Sequence, residues 1–400
     1  MMKNSFDVII AGAGIIGLAV AKSLLLHEPK LNVLVVEKET DLGAHASGRN
    51  SGVLHAGFYY SPESLKAKFC RDGNIEMREL AKKHAIPVRD VGKVVVARNA
   101  EELIRLEELF KRGEENGVQL QILDAHELTN FEPLARTHGA FLWSPTTGVS
   151  DPARIIRALA NEVLSLSGKI RYGSPLEVSK EQTLTLNGEK LKTKHFVNAS
   201  GSQSDRLAHK FNLGLDYSMV PFMGIYRAAE EHLLPLKRLV YPVPHPLNPF
   251  LGVHFTLTSD FKVKIGPTAI PVLGREQYKL SQRLTSSDVQ STIAGLASMI
   301  YYGAHDLPAL IRSELPKILV SSLIREAAEL VPSVVSVEQW FRKPPGIRSQ
   351  LIHRQTGRLE QDFIVEQSEY STHILNAVSP GWTSAIPFGR HVCQQIMTKI

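Results

Sequence analysis

The feature that most constrains this chain is Gly12-Ala13-Gly14-Ile15-Ile16-Gly17, a G-x-G-x-x-G between an apolar run over 6–11 and a helical segment reaching about Glu28. A second apolar run, "LNVLVVE" over 31–37, ends on Glu37, 20 residues after Gly17. This is the pattern of one βαβ unit built to hold a dinucleotide. The first glycine makes the tight turn, the second lets a pyrophosphate approach the backbone, and the third lets helix and strand pack closely. Free N–H groups and the helix dipole favour an anion at the turn, and Glu37 is in register to accept from a ribose diol. A tight turn without ligand is the competing reading, and it leaves the acidic residue unexplained.

With 400 residues, 43% hydrophobic and 22% charged, the chain has the composition of a soluble globular protein, long enough for two or three domains or one large α/β unit. Lys+Arg (46) exceed Asp+Glu (40), a net +6 that favours an anionic substrate or a membrane surface. The basic residues are scattered, which argues against nucleic acid as a partner. Cys70 and Cys393 stand far apart without a C-x-x-C partner, so no metal site or disulfide framework is expected and a reducing, cytoplasmic compartment fits. Lys3 ahead of an apolar run resembles a signal peptide, but Asp7, the spaced glycines and the lack of an A-x-A-like exit favour the nucleotide-binding reading. No apolar run is long enough to span a bilayer.

Further along, "SPESLKAKFCRDGNIEMRELAKKHAI" predicts a helix with Ser61 as N-cap and Pro62 at its first position. "GKVVVARN" reads as a strand, "EELIRLEELFKRGEENGV" as an amphipathic helix ended by Gly117, and "KHFVNASGSQSDRLA" as a buried strand turning into a helix through small residues. Residues 222–268 read as β-rich, 275–331 as helical, and the end as strands followed by a helix from near Ile386. No linker divides the chain, so a discontinuous domain arrangement is expected. The small-residue stretches "SGRNSGVLHAG", "VNASG" and "SPGWTSAIPFG" allow backbone to approach an isoalloxazine and a pyrophosphate, pointing to FAD rather than nicotinamide.

The order of "DVIIAGAGIIGL", Glu37-Lys38, "SGRNSGVLHAGFYY", "GKVVVA", "VNASG", "LVYPVPHPLNPFLGVHF", "IGP", "GIRSQ" and "DFIVE" resembles the L-2-hydroxyglutarate oxidase/dehydrogenase family, within the D-amino-acid-oxidase-like flavoproteins, from about Phe6 to Arg390. The resemblance implies an α/β fold: a Rossmann-like FAD-binding domain of the D-amino-acid-oxidase/glutathione-reductase type with an inserted α+β substrate domain. The boundaries expected are 1–85, 150–215 and 340–400 for FAD, and 86–149 and 216–339 for substrate. It implies oxidation of an L-2-hydroxy dicarboxylate to the 2-oxo acid, with quinone or oxygen as electron acceptor. The basic balance and the 275–331 helices allow a cytoplasmic enzyme with a peripheral contact on the inner membrane.

Such chemistry needs a base for the hydroxyl proton and cations for the carboxylates. His55, set among Gly52, Ala56 and Gly57, fits the base; a core histidine and a covalent flavin link are the alternatives. Arg348 fits a bidentate carboxylate clamp. Tyr59, Tyr60 and His254 are further substrate candidates, with core packing as the competing reading for the two tyrosines. On the cofactor side stand Gly12, Gly14, Gly17, Glu37, Lys38, Ser47, Arg49, Asn50, Ser51, Gly52, Ala199, Gly201, Gly381, Thr383 and Ser384, with Arg49 either binding pyrophosphate or capping its loop. The competing functions are amine oxidation of the glycine or D-amino-acid oxidase kind, a glycerol-3-phosphate dehydrogenase-like activity, and a flavin-binding electron-transfer subunit with no substrate of its own.

Overall fold

The computed structural model describes residues 4–400 apart from 180, 245–249, 280 and 283, so Lys3 and the middle of the "LVYPVPHPLNPFLGVHF" motif lie outside the described residues. The N-terminal apolar run forms the strand Ser5–Ala11, the helix Ile15–His27 follows, and the second run forms Val33–Val36. Ser5–Ala11 pairs in parallel with Val33–Val36 on one side and with Glu189–Asn198 on the other. Lys169–Arg171 and Ser371–Asn376 extend the sheet in parallel, and Ile364–Gln367 closes it antiparallel. Being covered on both faces, such strands read as continuous apolar runs. Ile15–His27, Pro152–Ser165 and Ala385–Met397 bury one face through residues such as Leu18, Leu159 and Phe388. Leu184, Leu191 and Phe196 pack on the other.

A second eight-stranded sheet is assembled from residues between 93 and 342, and apart from the parallel pair Lys93–Val96 with Leu239–Pro242 its neighbours run antiparallel. The helices Ala100–Glu115 and Val320–Ala327 contribute to its core. Two smaller sheets complete the described strands: Val53–Leu54 with Gly148–Val149, and Tyr217–Gly224 between Gly346–His353 and Ile270–Pro271. Among the described residues no helix is long and apolar enough to cross a membrane.

The helix expected to start at Pro62 starts instead at Leu65 and runs to Lys83, with Ser64 as N-cap. The Ser64 hydroxyl accepts from Ala67 N–H, while Leu65 and Lys66 N–H both donate to the carboxylate of Asp362, nearly 300 residues away. A tertiary cap with two charge-assisted hydrogen bonds outweighs the local proline signal.

Candidate functional site

The three glycines of the turn act in three different ways. Gly12 has φ +106°, and a Cβ there would lie 2.5 Å from the Ala199 carbonyl oxygen; at Gly17 a Cβ would lie 2.0 Å from the carbonyl oxygen of Gly12. Those two serve the turn and its packing. A Cβ at Gly14 would meet Ser47 Oγ at 3.1 Å and no other heavy atom within 4 Å, because Gly14 lines a cleft holding about 590 Å³ of open space. Gly14 is also the helix N-cap and has no capping side chain of its own. The Ser47 hydroxyl accepts from Ile15 N–H at 3.0 Å, and the Glu37 carboxylate accepts from Ala13 N–H at 2.9 Å and from Glu39 N–H at 3.1 Å. Glu37 is thereby fixed at the cleft wall.

The other cofactor candidates divide between wall and scaffold. Ser51, Ala199, Gly201, Gly381 and Thr383 line the same cleft as Gly14. Asn50 also lines it, though its amide closes its own loop, donating to Ala46 and Ser47 carbonyls and accepting from Gly52 N–H. Gly52 takes φ +73°, where a Cβ would strike the Ser150 carbonyl. Arg49 donates through Nε to the Ala44 carbonyl at 2.6 Å and stacks over the Tyr278 ring at 4.2 Å. Lys38 bridges Glu39 (2.8 Å) and Glu276 (2.6 Å), and His45 bonds Glu39 and the Tyr278 hydroxyl, each at 2.8 Å. The segment around Glu276 is anchored by the buried Arg275–Asp205 ion pair, so it lies pinned beside the cleft. Thr383 Oγ1 accepts from His55 N–H and donates to the Val53 carbonyl, tying the C-terminal turn to Val53–Leu54 and the His55 that follows it. Ser384 is fully buried at the start of the last helix.

His55 and Arg348 line this cleft as well. Burial, then the charges of Lys93, His254 and Arg348, hold the His55 imidazole well below the ordinary histidine value, so it is neutral near pH 7 rather than partly protonated as its residue type alone would suggest. Its Nδ1 is buried without a hydrogen-bond partner among the described residues, and the same holds for Nε1 of Trp382 in the cleft wall. Buried polar atoms with no protein partner fit a site completed by a bound group. Together with the open space beside Gly14, they fit a flavin dinucleotide.

Arg348 sits on Gly346–His353 directly opposite Phe222, with its guanidinium 5.3 Å from the Phe250 ring and near the Tyr226 hydroxyl. Tyr60 is beside the Ser379 hydroxyl, and burial pushes its phenol well above the usual value. His254 stacks on Tyr241 at 3.9 Å between ring centroids, and its Nδ1 lies 2.8 Å from the Gly252 carbonyl. A carbonyl can only accept, so Nδ1 carries the proton and Nε2 is left as an acceptor. Burial drives the His254 pKa down to about 3.

Two residues of this region escaped the sequence reading. Asn74, buried in the helix Leu65–Lys83, donates to the carbonyls of Leu54, His55 and Thr146 and so fixes the backbone that presents His55. Lys93 heads the apolar strand Lys93–Val96 and is fully buried, and its charge acts on His55. A lysine opening an apolar run was the available signal.

The sequence profile of the FAD dependent oxidoreductase (DAO) family matches residues 7–395. The chain is 34% identical to an L-2-hydroxyglutarate dehydrogenase of Indibacter alkaliphilus, covering 97% of this chain and 98% of the relative. It is 33% identical to a mitochondrial L-2-hydroxyglutarate dehydrogenase of Caenorhabditis briggsae, covering 98% and 94% respectively. Among solved structures, L-alpha-glycerophosphate oxidase of Mycoplasma pneumoniae with FAD bound aligns at TM-score 0.76 and 24% identity over 98% of this chain and 95% of its own. Glycine oxidase of Geobacillus kaustophilus aligns at 0.74 and 20% over 100% and 96%. At those identities the structures speak for the fold, and the sequence relatives for the branch. A cleft shaped by Gly12, Gly14 and Gly17, a profile spanning nearly the whole chain and full-length relatives converge: the chain belongs to the FAD dependent oxidoreductase family, on its L-2-hydroxyglutarate dehydrogenase branch.

Proposed function

We propose that the protein is an FAD-dependent L-2-hydroxyglutarate dehydrogenase in which His55 is the base and Arg348 the clamp for the carboxylate next to the reacting carbon. The observation that carries this reading is a single cleft lined both by the dinucleotide-binding elements, Gly14 and Glu37, and by His55 and Arg348. FAD, when bound, accepts the electron pair that leaves carbon 2 with its hydrogen. Gly14 and Glu37 hold the dinucleotide, and Arg348 presents parallel donors that fix the carboxylate in two dimensions. Neutral His55 takes the hydroxyl proton on a ring nitrogen, since no described residue hydrogen-bonds its imidazole and it lines the cleft. The product is the 2-oxo acid, with one proton on His55.

We place the FAD unit on the parallel sheet and the substrate unit on the second sheet, divided at the boundaries expected from the sequence except that Phe341–Arg342 pairs with the second sheet and goes with the substrate unit. Ile300, Tyr301 and Leu319, exposed on and beyond the helix Ser286–Tyr302, support a peripheral membrane contact and hence a quinone acceptor, which co-sedimentation with liposomes checks. The reading as a whole is tested by anaerobic bleaching of the flavin on adding L-2-hydroxyglutarate, D-2-hydroxyglutarate, glycine and glycerol 3-phosphate in turn. L-2-hydroxyglutarate should bleach it fastest. Bleaching by glycine in its place would return the protein to amine oxidation.

A further inference from the structure

Lys93 is an unusual residue to find where it lies. Its side chain is 0% exposed, and its Nζ has no hydrogen-bond partner among the described residues. Three rings enclose it: Tyr241 at 4.3 Å, Tyr59 at 5.0 Å and Phe58 at 5.3 Å from Nζ to the ring centroid. Aromatic faces stabilise a desolvated cation, but they accept none of its three N–H bonds as an oxygen would. The hydroxyl of Tyr59 is likewise buried and unpartnered among the described residues. The groups that act on Lys93 or share its field include His55, His254 and the Cys70 thiol. Burial presses the two histidines toward the neutral form and raises the thiol pKa to about 12, so none of the three supplies a counter-charge near pH 7.

A buried ammonium with no anion and no hydrogen bond is costly to fold around, and such groups persist where a ligand completes them. The neighbourhood also has a direction. His55 feels Lys93 as well as Arg348, so the base stands within the field of two cations carried on different strands. A substrate with a carboxylate at each end and a hydroxyl beside one of them has the same arrangement of charges.

Resting on the function proposed above, we infer that Lys93, with Tyr59, receives the remote carboxylate of the substrate, and so sets the preference for a dicarboxylate over a monocarboxylate 2-hydroxy acid. Arg348 then holds the near carboxylate, and His55 faces the carbon between them. Burial lowers the Lys93 pKa to about 7, and an arriving carboxylate favours its protonated form, so the charge is completed as substrate binds.

The test compares L-2-hydroxyglutarate with L-2-hydroxyvalerate, which has a methyl group where the remote carboxylate would be, on the FAD-loaded wild type and on Lys93→Met. Methionine keeps the length of the side chain and removes the charge. The ratio of kcat/KM between the two acids should fall by roughly 10- to 100-fold, the worth of one charge-assisted hydrogen bond, with the loss mainly in KM. Glutarate binding, followed by calorimetry, should weaken by a similar factor while valerate binding changes far less. A Lys93 that merely positioned His55 would slow both acids together, and that outcome overturns the inference. So does a wild type that binds glutarate and valerate equally, a measurement that stands even if the variant does not fold. Should the wild type bind glutarate through Lys93 yet fail to reduce its flavin with L-2-hydroxyglutarate, the proposed reaction falls and the carboxylate site remains.

Discussion

His55 shows how a residue's surroundings change the chemistry its type suggests. An imidazole titrating near 6.5 would be partly protonated at the working pH of most enzymes, and the sequence offered nothing beyond small neighbours to say otherwise. In the fold it is held well below that value by burial first and by the Lys93, His254 and Arg348 charges next, so the base form is the resting form. His55→Gln should slow reduction of the bound flavin by about 10²–10⁴-fold in stopped flow, with FAD content nearly unchanged. The acid limb of the wild-type kcat/KM profile should lie below about pH 6.5, the ordinary histidine value, and should vanish in the variant. A limb at or above that pH would mean that another group is the base. The lysine opening "KVVV" was the one trace of Lys93 at this scale and a weak one, since it also reads as an ordinary strand end; its significance comes from Tyr59 and Tyr241, which the fold brings to it.

At the scale of elements, the βαβ unit was the most readable part of the chain, since glycine turn, period and acidic register all lie within 37 residues. The structure adds that its glycines are not equivalent. Gly14→Val should yield a folded protein that retains little FAD, because a Cβ there comes near Ser47 Oγ and the added bulk takes space in the cleft. Gly17→Ala should instead lower Tm, because its methyl would lie 2.0 Å from the Gly12 carbonyl oxygen. Absorbance of the purified protein at the flavin band together with thermal melts separates the two; a Gly14→Val protein with stoichiometric FAD would contradict the placement of the dinucleotide. The start of the helix Leu65–Lys83 was misread because its decisive cap, Asp362, belongs to the far end of the chain. Asn74 was passed over for a similar reason: its three carbonyl partners become neighbours only once the fold is formed.

The whole molecule buries His195, His254 and His373 as neutral groups, with pKa values of about 4, 3 and 3 set chiefly by burial. In the unfolded chain each would titrate near its ordinary value, so as pH falls below about 6.5 the unfolded state takes up protons that the folded state refuses. Stability is therefore complete above that pH and is lost on acidification, by up to about 1.4 kcal/mol per pH unit for each histidine until its folded value is reached. Thermal melts between about pH 7 and pH 4 should show Tm falling steadily, and a flat profile would show that these histidines are hydrated in solution. The two-sheet architecture was legible mainly through resemblance, since pairings between segments more than a hundred residues apart leave no local trace. One of them has a mechanical meaning. The strand that carries Arg348 is zipped to Tyr217–Gly224 through eight residue pairs. Shifting that ladder by a single residue would turn Arg348 to the opposite face of the ribbon. The place of Arg348 in the cleft wall is thus fixed like a jig when the chain folds, and if it clamps a carboxylate as proposed, that clamp is a gauge of set position.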